Sequence, residues 1–128
     1  MQMPPKKRRV SRGEAVGKKS VKQSPLAKEF AAEMVEALTP VGDVRSRPMF
    51  GGYGIFTDGT MFALIDREAT LFFRADSSTK SRYEAAGSMQ HNPMPYFEVP
   101  KNVTDDYSEF IEWAKQAVEV AHSAKKKN

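Results

Sequence analysis

Two histidines, His91 and His122, and no cysteine make up the whole stock of ordinary imidazole bases and thiol nucleophiles in this 128-residue sequence. His91 falls among Gln90, Asn92 and Pro93 in a stretch that reads as loop, and His122 stands near the fraying end of the last helical pattern. Both read as ordinary surface histidines. Carboxylates are plentiful, but Asp66 with Glu68 and Asp105 with Asp106 fall at turns and helix starts, where they accept backbone N–H groups and complement the helix dipole. No pair has the spacing that acid–base or metal chemistry demands, and the lack of cysteine removes thiolate zinc ligands. The expectation is a non-enzymatic protein with no catalytic residue, no metal and no cofactor.

Gly51, Gly52 and Gly54 invite a phosphate-loop reading. It fails in context, because a dinucleotide fingerprint follows a strand and opens a helix, whereas these glycines open a strand and no Gly-Lys-Ser/Thr is present. The run Gly52-Tyr53-Gly54-Ile55-Phe56 is similar to half of the aromatic RNA-binding strand of an RRM. Gly51 stands where that motif has a basic residue, Ile55 and Asp58 replace its stacking aromatics, and no strand precedes the first helix. Arg45 and Arg47 alternate with Val44 and Ser46 and so point to one face of a strand. Such a pair serves as edge protection or, beside other basic residues, as part of a phosphate-binding track.

The elements that would position these residues are legible from periodicity and turn chemistry. Ser24-Pro25 reads as an N-cap followed by proline at the first helical position. Ala27, Phe30, Ala31, Met34 and Leu38 then fall at helical spacing, and the helix should stop before Pro40. Val41 to Met49 reads as a first strand. Asp58-Gly59 is the strongest turn signal, since a two-residue type I′ loop needs positive φ at both central positions. That turn sets Thr57 opposite Thr60, Phe56 opposite Met61, Ile55 opposite Phe62, Gly54 opposite Ala63 and Tyr53 opposite Leu64. Two small residues opposed in mid-sheet mark a close approach, expected to be that of a packed helix. Asp66-Arg67-Glu68 makes the next turn, Leu71 to Arg74 a further strand, and Ser77 to Gly87 a short helix ended by its glycine. Met94 to Val99 reads as an edge strand bounded by Pro95 and Pro100. Thr104, Asp105 and Asp106 offer caps for a last helix whose apolar stripe is Tyr107, Phe110, Ile111, Ala114, Ala117, Val118 and Ala121, with Trp113 beside it. The order implies an α+β fold, an antiparallel sheet of four to five strands packed against N- and C-terminal helices.

Charge divides the chain. Residues 1–25 hold Lys6, Lys7, Arg8, Arg9, Arg12, Lys18, Lys19 and Lys22 against Glu14, a net of +7. Lys125, Lys126 and Lys127 add +3, which leaves −6 for the middle out of a total of +4. A basic tail over residues 1–23, a domain over 24–124 and a basic C-terminal tail over 125–128 follow, and a polyanion would meet the tails first. The tail composition reads as disorder, and Met1 and Met3 leave the start codon open. Pro4 to Val10 is similar to a short nuclear import signal, a pattern that basic runs also produce by chance. No apolar run is long enough to span a membrane and no h-region follows the N-terminal charges, so a cytoplasmic location is expected, nucleoid-associated where the tails bind nucleic acid.

Arg45-Ser46-Arg47-Pro48-Met49-Phe50-Gly51-Gly52-Tyr53-Gly54-Ile55-Phe56, then Asp58-Gly59 and Met61-Phe62-Ala63-Leu64-Ile65, resembles the signature of the TfoX/Sxy N-terminal-domain family. Leu71 to Asp76 (with Arg74), Tyr83-Glu84, Tyr96 to Pro100 and Trp113-Ala114 continue the resemblance in order, over about residues 25 to 122. The resemblance implies a fold close to the secretion chaperones and a bacterial, competence-regulator-like role in transcription. The regulators that name the family continue into a second domain not included in this sequence. The signature residues Met49, Phe50, Gly51, Gly52, Tyr53, Gly54, Asp58, Gly59, Phe62, Ala63 and Arg74 are expected to be structural, with Arg74 pairing a carboxylate such as Asp76. The residues expected to touch nucleic acid are the eight N-terminal basic side chains, Arg45, Arg47 and Lys125 to Lys127. The competing reading is an adaptor whose acidic domain binds a protein partner or itself through a sheet edge; neither reading includes a small-molecule ligand.

Overall fold

The computed structural model describes residues 24–126, and the fold begins with a helix cap. Ser24 has extended backbone angles, and its hydroxyl accepts the Ala27 N–H at 3.0 Å. Pro25 follows at the first helical position, where a missing N–H is no loss, and α1 runs Pro25–Ala37. The helix stops before Pro40 as expected, but Val41 is not yet strand. Thr39–Val41 forms a 3-10 turn, closed by the Val41 N–H on the Leu38 carbonyl at 2.9 Å, and Gly42 at φ 142° redirects the chain. The first strand, β1, is Val44–Met49.

β2 (Gly52–Thr57), β3 (Thr60–Ile65), β4 (Leu71–Arg74) and β5 (Tyr96–Glu98) follow, and the sheet is antiparallel in the order β1-β2-β3-β4-β5. Asp58 and Gly59 have φ of 50° and 77°, the left-handed pair that a type I′ loop requires. Thr57 faces Thr60 and Phe56 faces Met61, as the turn predicts. Beyond that point the expected register fails. A bulge at Phe62 sets Ile55 opposite Ala63, Gly54 opposite Leu64 and Tyr53 opposite Ile65. The bulge lets Phe62 and Ala63 both join the core, which a strict alternation would forbid.

The slip of one residue changes what each face carries. Ile55, Ala63, Ile65, Phe73 and Phe97 pack with Ala27 and Ala31 of α1 and with Phe110, Ala114 and Ala117 of α4 (Tyr107–Lys126). The opposite face holds a smaller cluster of Leu64, Phe72 and Tyr96, flanked by Met49, Met61 and Met94. Gly54 belongs to this second face. The expectation that a helix crosses Gly54 and Ala63 together is therefore wrong: the helices cover Ala63, while a Cβ at Gly54 would stand 2.7 Å from Met61 Sδ, 2.9 Å from Phe56 Cε1 and 3.0 Å from Met49 Sδ.

The remaining elements follow their caps. The Asp66 carboxylate accepts the N–H groups of Glu68 and Thr70, closing the β3–β4 turn. The short helix α2, Lys80–Ala85, starts three residues later than Ser77 because Asp76 first gathers the Ser78 and Thr79 N–H groups into a turn. It ends as expected at Gly87 (φ 78°), whose N–H bonds the Glu84 carbonyl while the Ser88 N–H bonds Tyr83. β5 is shorter than Met94 to Val99. A one-turn helix α3, Lys101–Thr104, follows Pro100 and has no counterpart in the sequence reading. Asp106 caps α4 through the Glu109 N–H. Trp113 is buried, edge-on to Tyr83 at 5.0 Å, with the Arg82 guanidinium 3.9 Å over its ring. No helix among the described residues is long and apolar enough to cross a membrane.

Candidate nucleic-acid interface

β1 carries Arg45 opposite Phe56 and Arg47 opposite Gly54, so strand alternation puts both on one face, as expected, and that face is the one away from the helices. The Arg47 guanidinium lies 5.0 Å over the half-buried Phe56 ring, a cation–π contact that fixes a long side chain on a rigid strand. Arg45 reaches Asp43 at 3.3 Å. Both partners are exposed, so the pair holds Arg45 only loosely and leaves it open to a stronger anion. Asp43, Arg45, Arg47, Phe56, Asp58 and Gly59 line a shallow cavity of about 230 Å³.

The ends of the described chain flank this strand. At one end of β2, the Ser24 N–H points at the Gly51 carbonyl at 3.4 Å, and its hydroxyl donates to the Arg67 carbonyl at 2.7 Å. Residues 1–23, with the expected contacts Lys6, Lys7, Arg8, Arg9, Arg12, Lys18, Lys19 and Lys22, lie outside the described residues, as does Lys127. At the other end of β2, His122 Nε2 stands 3.3 Å from Thr57 Oγ1 and 3.4 Å from the Thr57 carbonyl. Lys125 shares a surface hollow there with Asp58, Thr60 and His122. The two basic segments therefore join the fold at opposite ends of one strand, with Arg47 and Arg45 along its neighbour.

His122 is not a loose surface residue, then, but a clasp between α4 and the β2–β3 turn. A partner 65 residues earlier leaves no local sequence signal. His91 also packs, edge-on to Phe72 at 5.1 Å. Arg74 does not pair with Asp76. Its guanidinium lies 5.8 Å over the ring of Tyr96, the residue directly across the strands. Burial pushes the Tyr96 hydroxyl above its ordinary pKa, Arg74 opposes that rise, and the hydroxyl donates to the Met61 carbonyl at 3.2 Å. The Asp76 carboxyl is held below the usual carboxylate range chiefly by the Ser78 hydroxyl, with Thr79 assisting, against a desolvation that raises it. It organises a turn.

The signature residues divide. A Cβ on Gly52 would collide with the Ile65 carbonyl, so that position admits glycine alone. Phe62 and Ala63 are buried in the main core and Met49 packs in the smaller one. Phe50 does neither. It sits at φ 52° beside Gly51 at φ 81°, so the β1–β2 connection is a second loop with two left-handed residues, and its ring is 75% exposed. Sequence reasoning set Phe50 among the structural signature residues without reading it as the first residue of a turn, although Met49-Phe50-Gly51-Gly52 spaces two strands by a two-residue loop ending in glycine, which was the signal.

No curated protein matches the sequence. A family model described as the TfoX N-terminal domain matches residues 36–121. That range spans all five strands, the end of α1 and most of α4, and the chain belongs to the TfoX N-terminal domain family.

Proposed function

We propose that this chain is a non-enzymatic, TfoX-like regulatory or accessory protein that binds nucleic acid through its basic termini without reading sequence. The observation that carries this reading is the placement of charge. Ser24 and Lys125, where the basic segments meet the fold, stand at opposite ends of β2, and Arg45 and Arg47 lie on β1 between them. Backbone phosphates spaced along a strand match such a line of cations, whereas the rest of the domain is acidic and repels them. Family membership supports the regulatory part of the reading.

The test is a titration of duplex DNA at several salt concentrations, with the full chain and with a chain lacking residues 1–23. If five to seven phosphates are contacted, log K falls with log salt at a slope of about −5 to −6, and the truncation flattens it. Equal affinity and equal slope for the two chains would reject the reading.

A further inference from the structure

Helix α1 carries two apolar stripes, and the core uses one of them. Ala27 and Ala31 are buried among the sheet residues. Leu26, Phe30, Met34 and Ala37 run beside them at helical spacing; the last three are half-buried and Leu26 is 59% exposed. This second stripe is one wall of a groove whose other wall is α3 and the start of α4. Phe30, Met34, Ala37, Thr104, Tyr107 and Phe110 line a hollow of about 330 Å³. A further hollow of about 240 Å³ shares Phe30 and Thr104 and continues the groove to Ala69 and Thr70 in the β3–β4 turn. The Tyr107 hydroxyl donates to the Ala37 carbonyl at 2.7 Å, and the Thr104 hydroxyl donates to the Lys101 carbonyl at 2.9 Å. Both hydroxyls of the first hollow are thus satisfied within the fold. What remains open there is carbon, a surface suited to apolar side chains and not to a polar small molecule.

The rim selects the occupant. Glu29, Glu33 and Glu36 stand in a row on the solvent side of the stripe, all exposed and none in an ion pair among the described residues. Glu98 adds a carboxylate at the second hollow, where Lys101 is already engaged by Asp105 at 3.1 Å. An acidic rim repels nucleic acid and anionic lipid. A second copy would bring the same carboxylates in return. The +7 segment before Ser24 has the sign but not the pattern: among Met1, Met3, Val10, Ala15, Val16 and Val21, no two stand three or four apart. We infer that this groove docks an amphipathic, lysine- or arginine-rich helix of a protein partner, its apolar face inward and its cations against the glutamates. From Leu26 to Ala37 the wall runs about 16 Å, the length of about three helical turns. The groove lies on the helix side of the sheet and Arg45 and Arg47 on the other, so the docking leaves the proposed nucleic-acid face free and does not depend on it.

The probe is a fluorescein-labelled peptide about three helical turns long, with leucine at every third or fourth position and lysine between. Its control has the same residues reordered so that no apolar stripe forms. Both are titrated at physiological salt, by fluorescence anisotropy, against the full chain and three full-length variants: L26Q, E29K/E33K and E84K/E119K. All the substituted side chains are exposed, and Glu84 and Glu119 lie on α2 and α4 away from the groove lining. Melts check that each variant is folded. The striped peptide should bind the wild type at least about tenfold tighter than its control. L26Q should weaken that binding about fivefold and E29K/E33K about tenfold, while E84K/E119K, with the same change of net charge, should stay within about twofold. Equal binding of the two peptides, or equal loss in the two double variants, would reduce the effect to overall charge and overturn the inference. Absence of saturable binding by the striped peptide would overturn it as well. If sedimentation shows a wild-type dimer that L26Q dissociates, the groove holds a second copy and the inference is again overturned.

Discussion

At the scale of single residues, neighbouring glycines in β2 are held by different forces. At Gly52 the obstacle to a side chain is the backbone carbonyl of Ile65, which cannot yield without parting β2 from β3. At Gly54 the obstacles are Met61, Met49 and Phe56, two of them thioethers on flexible chains that can turn aside. Gly52→Ala should therefore cost more than about 3 kcal/mol, Gly54→Ala less than about 1 kcal/mol, and Gly54→Val about 1–3 kcal/mol. Denaturant melts in which the two alanine variants unfold at the same midpoint would remove the distinction. The sequence marks Gly54 as a place of close approach, and that much is right. The identity of the neighbour was hidden by the bulge at Phe62, since Met61 to Ile65 is apolar throughout and offers no alternation from which a skipped residue could be read.

Among the elements, those announced by a cap were legible and those defined by distant contacts were not. Ser24-Pro25, Asp58-Gly59, Gly87 and Asp106 each carry their instruction within a few residues, and each is used as its chemistry suggests. The one-turn α3 lacks any apolar period, and the clasp of His122 on Thr57 joins residues far apart in the chain. Ser24 combines both kinds of information. Its hydroxyl caps α1 by accepting the Ala27 N–H, and it also donates to the Arg67 carbonyl, tying the helix start to the β3–β4 turn. Ser24→Ala should cost about 1–2 kcal/mol, the upper part of the range for a lost cap because a second bond goes with it. Ser24→Asp keeps the cap acceptor but not the donor and should recover about half of the loss. Equal melting of Ser24→Ala and the wild type would show that the junction does not hold the fold together.

Across the whole molecule, the acidic domain and its basic termini set what kind of recognition is available. Base-edge reading needs Arg or Asn side chains presented to a groove on a rigid element. On the helix-free face Arg47 is held over Phe56 and Arg74 over Tyr96, which leaves Arg45, only loosely paired with Asp43, as too little to read a groove. A selection from a randomised duplex pool at physiological salt should accordingly return no consensus, with less than about a tenfold preference among duplexes of equal length. An enriched motif would refute this and point first to Arg45 and Arg47. The sheet itself has a further consequence, which concerns the molecule in crowded solution. Met49 and Gly52 close the β1–β2 loop as a hydrogen-bonded pair, so Pro48, one step away, turns its nitrogen outward and leaves a gap in the donors along that margin. At the other margin the segment after Gly87 already pairs with β5, through the Glu98 N–H on Met89 and the His91 N–H on Tyr96. The apolar run Met61 to Ile65 is central and bonded on both sides. A foreign strand finds a broken ladder at one margin and an occupied one at the other, which guards the native sheet against edge-to-edge pairing.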